Sequence, residues 1–373
     1  MTIDSKRRLK VALVHDYLQW HGGAERVLES FHKIWPEAPV YTSVYNSESM
    51  PEAYKSWDIR TSFMQRLPFW SKFLKHYSFL YPMAFEQFDF SGYDLVISSS
   101  AGFAKGIITR PGTVHVAYTH TPPRFQWGYE TTTRLKLNKF YTNIILPPID
   151  NYLRIWDQCA AKRVDYFVSN SREVQKRISK IYRRESKIIF PPVNISQFKK
   201  SESKSGDYYV TIGRLERYKN FDLIIEAFNS LGSGYKLKII GGGSDENYLR
   251  SLAKSNIEFM GRVSDEELAN LLSNAKAFVY AAEEDFGIAM AESLAAGTPV
   301  IAYKKAGALE IVEEKKSGLF FDELSVKSIS STITKFNSMK FDRDYCKKQS
   351  EKFSEERFKG EVLDFIKEIK ELN

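Results

Sequence analysis

The stretch AFVYAAEEDFGIAMAESLAAGTPVIAY, residues 277–303, decides the fold. AFVYAA reads as a buried strand. AMAESLAAG reads as a helix closed by Gly297, a residue suited to the left-handed turn after a helix. PVIAY reads as a second strand. Strand, helix and strand in so short a span form a unit whose two strands run parallel. Where the first strand gives way to the helix lie Glu284, Phe286, Gly287 and Ile288, and Glu292 follows in the first turns. Two carboxylates thus bracket an apolar turn at a strand's carboxyl end.

The same alternation extends outward. YYVTIG (208–213) is a strand, and NFDLIIEAFNSL (220–231) is a helix with apolar residues at Phe221, Ile224, Ile225 and Phe228. YKLKIIGGG (235–243) is a strand running into glycines, and IEFMGRV (257–263) is another. Ser264 followed by Glu267 predicts a capping box at the start of SDEELANLLSNA. In the first half, KVALVHDY, YDLVISSS, HVAYTH and VDYFVSNS are strands separated by helical stretches, among them GGAERVLESF with Val27, Leu28 and Phe31 on one face. Pro191 and Pro192 interrupt the pattern, and the polar run KKSESKSGD (199–207) follows. The expected organisation is an α/β chain of two Rossmann-like, doubly wound parallel-sheet domains, 1–190 and 191–350. A helix in 351–373, with Val362, Phe365, Ile366 and Ile369 in phase, either caps the second domain or returns to the first.

Hydrophobic content of 43% and charged content of 27% are those of a globular protein. No run of 18 apolar residues exists, and the basic N-terminus lacks a signal-peptide core, so a cytoplasmic protein is expected. Cys159 and Cys346 match no metal or disulfide spacing. The net charge of +8 favours an anionic partner: nucleic acid, an acidic membrane surface or a phosphorylated ligand.

In an open parallel sheet, ligands bind beyond the carboxyl ends of the strands. In GRLERYKN (213–220), Arg214 and Lys219 follow a strand directly; they suit a diphosphate, or form a solvated basic loop. A helix starting near Gly287 would offer free amides to an anion. Glu292 could then accept from a ribose diol and Glu284 from sugar hydroxyls, or both could simply favour the helix start. Gly22 and Gly23 form a close-approach loop or a plain turn after the first strand. No G-x-G-x-x-G occurs, which weakens a dinucleotide reading. His120, at a strand end before Pro122–Pro123, could donate to substrate oxygens or be a satisfied structural histidine. The stretch 66–88 interleaves Arg66, Lys72, Lys75 and His76 with Trp70 and other aromatics. It suits an acidic bilayer interface, or is a packed excursion of the first domain. No nucleic-acid module pattern appears.

Taken together, GRLERYKN, IIGGG and the run 257–312 resemble the nucleotide-binding half of family 4 glycosyltransferases, retaining enzymes of the GT-B type. Glu284 to Glu292 looks like that family's E-x7-E element. VALVHDYL, GGAERVLE, YDLVISSS, AKG and HTPPRFQW are similar to a bacterial branch that builds O-antigens and exopolysaccharides, often from GDP-mannose. One departure is Asn220, where many members have glycine. The resemblance implies two domains facing across a cleft and a donor site of Gly22, Gly23, Gly213, Arg214, Lys219, Arg262, Val263, Glu284, Phe286, Gly287, Ile288 and Glu292. Arg214 and Lys219 would neutralise the leaving diphosphate, with no metal and no cofactor expected. Glu284 would face the donor sugar, His120 would close from the first domain, and Arg262 and Val263 would meet the base. The acceptor would be a saccharide or lipid-linked saccharide, with Arg66, Trp70, Lys72 and Lys75 at the inner leaflet. The implied function is hexose transfer, with mannose the expected sugar, in cell-surface polysaccharide synthesis. A non-catalytic nucleotide-sugar-binding subunit of the same fold is the alternative; a phosphorylase and a nucleic-acid binder rank below it.

Overall fold

The computed structural model describes residues 9–74, 76–129, 141–199 and 206–371. The chain divides into two compact units, Met1–Phe190 and Pro191–Asn373.

The first unit is built on seven strands: β1 (Val11–His15), β2 (Val40–Thr42), β3 (Ile59–Thr61), β4 (Leu95–Ser100), β5 (Val114–Thr119), β6 (Tyr166–Ser169) and β7 (Ser186–Ile188). They lie in the order β3-β2-β1-β4-β5-β6-β7, every pair parallel. All of β1 and β4 is buried. Helices cover both faces of such a sheet, so its central strands read as continuous apolar runs rather than as alternation.

The second unit has six strands: β8 (Tyr208–Ile212), β9 (Lys236–Ile240), β10 (Ile257–Gly261), β11 (Phe278–Tyr280), β12 (Val300–Tyr303) and β13 (Gly318–Phe321). Their order is β10-β9-β8-β11-β12-β13, again all parallel. In both sheets the strand order reverses beside the first strand, between β1 and β4 and between β8 and β11. The helix Phe221–Leu231 buries Phe221, Ile224, Ile225 and Phe228, the stripe its spacing predicts. Ser264 caps the helix Asp265–Ser273, its Oγ accepting from the Glu267 amide at 3.2 Å. Gly297 adopts φ 78° after the helix Ile288–Ala295. The last helix, Glu355–Glu371, buries Val362, Phe365, Ile366 and Ile369, and Phe358 as well. The chain segment that precedes it is tied to the unit's start, where the Val193 amide donates to the Phe353 carbonyl at 2.7 Å.

The stretch 66–88 is a packed excursion of short turns, not one helix. The helices Trp70–Phe73 and Tyr81–Glu86 flank a 3₁₀ turn, Ser78–Leu80. Leu74, Tyr81, Ala84 and Phe85 enter the core. Phe69, Phe73, Phe79 and Met83 stay exposed, as do Arg66 and Lys72. Lys75 lies outside the described residues. No helix among the described residues is long and apolar enough to cross a membrane.

Lys105, in the turn Ala104–Gly106 after β4, and Asp157, on the helix Leu146–Lys162, form an ion pair with side chains 1% and 0% exposed. The ammonium also donates to the Gly102 carbonyl at 2.8 Å. The other carboxylate oxygen of Asp157 accepts from Trp127 Nε1 at 2.8 Å and from the Tyr182 hydroxyl at 2.9 Å. A buried pair so fully bonded tolerates loss of both charges far better than loss of one. Asp157→Leu is therefore expected to cost about 3–5 kcal/mol. Adding Lys105→Met should recover much of that loss, as read from the urea unfolding transition of the first unit.

Candidate active site

Four loops at strand carboxyl ends gather the candidate residues of the second unit. The loop after β8 carries Gly213, Arg214 and Lys219. Lys219 ends a 3₁₀ turn, Arg217–Lys219, and the helix proper starts two residues later. Asn220 between them sits in the left-handed region at φ 54°, ψ 37°. Asparagine tolerates that conformation and glycine adopts it freely, which accounts for either residue standing here. The Asn220 side chain donates to the Ala281 carbonyl at 2.9 Å and ties the β8 loop to the β11 loop. The β8 loop is also joined to the glycine run after β9. The amides of Gly213 and Leu215 donate to the carbonyls of Ile240 and Gly242 at 3.0 and 3.1 Å.

Lys219 does not point into bulk solvent. Its ammonium is hydrogen-bonded to the Glu284 carboxylate, and to the Tyr280 hydroxyl at 2.9 Å. It also lies 5.4 and 5.3 Å from the ring centroids of Tyr218 and Tyr280. Tyr218 reaches the second cation as well, since Arg214 donates to its hydroxyl at 2.8 Å. Burial pulls the Arg214 guanidinium down, but Tyr218, Glu216 and Glu284 outweigh it and hold it above its ordinary value. Arg214, Lys219 and Glu284 therefore form one electrostatic cluster. Sequence reasoning assigned Lys219 and Glu284 to different parts of a ligand; in the free chain they hold each other. It missed Tyr218, which lies between the two cations in the sequence, and Tyr280, which ends the strand before Glu284.

Gly287 precedes the helix Ile288–Ala295 at φ 89°, ψ 61°. The first amides of a helix lack intrahelical acceptors, so this end carries partial positive charge. Glu292 lies one turn along and is buried. The Phe286 ring faces the core, edge-on to Phe353 at 5.3 Å, so only its backbone is available to a ligand. This loop is fixed from the far side: the Gly307 amide donates to the Glu284 carbonyl at 3.0 Å, and a Cβ on Gly307 would fall 2.0 Å from the Phe286 carbonyl oxygen. Gly307 is a third residue that sequence reasoning did not single out. Arg262 and Val263 follow β10; Arg262 is exposed and Val263 half-buried.

In the first unit, Gly22 precedes and Gly23 begins the helix Gly23–Ile34 after β1. Asp16, at the end of β1, accepts three amides of the loop after β4, from Ala101, Phe103 and Ala104, at 2.6, 2.7 and 2.6 Å. The parallel register places His15 beside Ser99. His120 Nε2 lies 2.8 Å from Ser99 Oγ, which is 3.2 Å from His15 Nδ1; His15 Nε2 lies 3.3 Å from a Glu25 carboxylate oxygen. Burial, with His15 adding to it, lowers the His120 pKa to about 3, so its imidazole is neutral.

Two parallel Rossmann-like sheets, each with polar loops at its strand-order reversal, define the fold of the GT-B glycosyltransferases. Two family models cover most of the chain: Glycosyltransferase Family 4 over residues 21–197 and Glycosyl transferases group 1 over residues 193–353. The chain belongs to glycosyltransferase family 4. It is 32% identical over 162 residues to the O-antigen chain mannosyltransferase RfbU of Salmonella typhimurium, a match spanning 40% of this chain and 45% of that one. The chain thus spans under half the length of that relative. It is 24% identical over 305 residues to the alpha-1,3/1,6-mannosyltransferase ALG2 of Dictyostelium discoideum, covering 68% of this chain and 70% of that one. Among solved structures, HepE of Anabaena in complex with UDP and glucose superposes with TM-score 0.69 at 16% identity, over 96% of this chain and 100% of that one. Sucrose-phosphate synthase from Thermosynechococcus elongatus superposes at 0.72 and 14% identity, over 98% and 100%.

The glycine at 307 gives a direct check on the loop geometry. Gly307→Ala is expected to push the Glu284–Gly287 backbone away at a cost of about 1–3 kcal/mol. Amide exchange at Gly287 and Ile288 should rise in the variant, while exchange in β8 and β9 stays unchanged.

Proposed function

We propose that the chain is a retaining glycosyltransferase that moves a hexose, mannose in this reading, from a nucleoside diphosphate sugar to a saccharide or lipid-linked saccharide in cell-surface polysaccharide synthesis. The observation that carries it is the cluster of Arg214, Lys219 and Glu284 at the adjoining ends of β8 and β11, next to the amino end of the helix Ile288–Ala295. Its arrangement suits a diphosphate: a fork, a point charge and free amides on neighbouring strand ends. The relatives whose names describe mannosyl transfer support the choice of sugar.

Glu284 occupies the Lys219 ammonium until an anion arrives. A diphosphate carries more charge than a carboxylate and draws Lys219 to itself. Glu284 is then released to the hydroxyls of the donor sugar, so donor binding and carboxylate positioning are one event. As the glycosidic bond breaks, charge grows on the departing diphosphate, and preorganised cations act most strongly there. The stabilisation comes from Arg214, Lys219 and the helix amides, without a divalent ion. Glu292 holds the ribose, Arg262 and Val263 lie toward the base, and His120 with the Gly22–Gly23 loop serves from the first unit. The acceptor's proton leaves with the diphosphate, and configuration is kept by attack on the face the leaving group vacates.

Lys219→Ala and Arg214→Ala should each lower kcat for transfer by roughly 10²–10³-fold. Excess EDTA should leave wild-type turnover unchanged. Full activity in both alanine variants would remove the basis of the reading. A thermal-shift comparison should show GDP stabilising the chain more than UDP, and Glu292→Ala should weaken GDP binding about tenfold or more.

The exposed Phe69, Phe73, Phe79 and Met83 beside Arg66 and Lys72 support a surface that rests on an acidic bilayer, with Trp70 at its margin. Vesicles containing anionic phosphatidylglycerol should carry the chain on flotation, and Arg66→Glu with Lys72→Glu should reduce the floated fraction several-fold. Equal flotation of the variant would count against this surface.

A further inference from the structure

The residues around His120 form a chain of hydrogen bonds that its chemistry can orient. It runs from Glu25 to His15 to Ser99 to His120, across 2.8 to 3.3 Å steps. Glu25 and His15 have side chains 9% and 3% exposed, and Ser99 is buried. The four residues come from four places in the sequence: the first turn of the helix after β1, the end of β1, the end of β4, and the residue directly after β5.

A carboxylate has only acceptor sites, so the nitrogen facing Glu25 must bear the hydrogen. At a pH where imidazole is neutral, His15 then carries its proton on Nε2, and Nδ1 is a lone pair. Ser99 must donate its hydroxyl hydrogen to that lone pair. Its oxygen is left as an acceptor on the other side, so His120 Nε2 must bear a hydrogen to reach it. His120 is neutral, and its second nitrogen, Nδ1, is therefore unprotonated. The carboxylate of Glu25 sets the tautomer of a histidine two residues removed from it in the hydrogen-bond chain.

We infer that Glu25, acting through His15 and Ser99, holds His120 in the Nε2–H form, so that its Nδ1 lone pair accepts the hydrogen of a substrate hydroxyl. The expectation that His120 donates to substrate oxygens is thereby reversed. Glu25, His15 and Ser99 are positioning residues. The glycine of the same motif has a part in this: a Cβ on Gly22 would stand 3.2 Å from the second carboxylate oxygen of Glu25, so glycine leaves that carboxylate room to fold back on His15. The significance for transfer rests on the transferase reading above; the tautomer does not.

The test is two-bond ¹⁵N–¹H correlation on histidine-labelled full chain at pH 8, with the His120 signals located from the spectrum of His120→Gln. The expected wild-type pattern is a protonated Nε2 and an unprotonated Nδ1. An Nδ1–H pattern overturns the proposal with no variant needed. Ser99→Ala removes the relay, and Glu25→Gln, of the same shape, offers a donor as well as an acceptor and so allows either polarity. Both should convert His120 to a mixture of tautomers. Both should lower kcat for release of GDP from GDP-mannose about 10–100-fold with KM for the donor within about twofold. An unchanged tautomer in both variants, or an unchanged kcat despite a changed tautomer, overturns the positioning role. Absence of turnover with GDP-mannose and with UDP-glucose in the wild type would sink the transferase reading instead, and the NMR pattern would still decide the relay.

Discussion

The reversal of strand order beside β8 is the constraint on which the second unit's site depends. On one side of it the connections run toward β9 and β10; on the other they run toward β12 and β13. The loops leaving β8 and β11 therefore depart in opposite directions, and the space between them is left open. Side chains at the two strand ends must meet across that space. Lys219 from one loop and Glu284 from the other do so, and Asn220 and Ala281 bind the loops' backbones together a few residues away. The first unit repeats the arrangement at β1 and β4, with His15 and Ser99 in register at the same kind of junction.

The energetics of the Lys219 ammonium follow from this crowding. Its side chain is 11% exposed, so it has given up most of its water. A carboxylate, a phenol and two aromatic faces stand in for that water, and each recovers part of the desolvation cost. A cation held this way is paired on several sides rather than free in solvent.

Much of this was legible in the sequence. The strands and helices of the second unit follow from 277–303 and its repeats, because parallel strands and amphipathic helices leave local periodic signals. The strand-end positions of Arg214, Lys219, Glu284, Gly287 and His120 follow from the same pattern. What the sequence did not show is pairing over distance. Lys219 and Glu284 are separated by 65 residues, Lys105 and Asp157 by 52, and His15 and Ser99 by 84. No periodicity encodes such contacts; only the sheet order does. The stretch 66–88 was ambiguous for the opposite reason. Its aromatics are dense enough to suit either a core or a surface, and the structure divides them, Phe85 inward and Phe69 outward.

The three amides held by Asp16 have a bearing on how the first unit comes into being. Asp16 is separated by 85 to 88 residues from Ala101, Phe103 and Ala104, so these amides of the loop after β4 find their carboxylate far away in the sequence. Closing so long a stretch is entropically costly until other contacts hold its ends together. β1 must wait for β4 before its acidic end finds those donors. On a ribosome that means the strand β1 leaves the exit tunnel well ahead of the segment whose amides complete its acidic end.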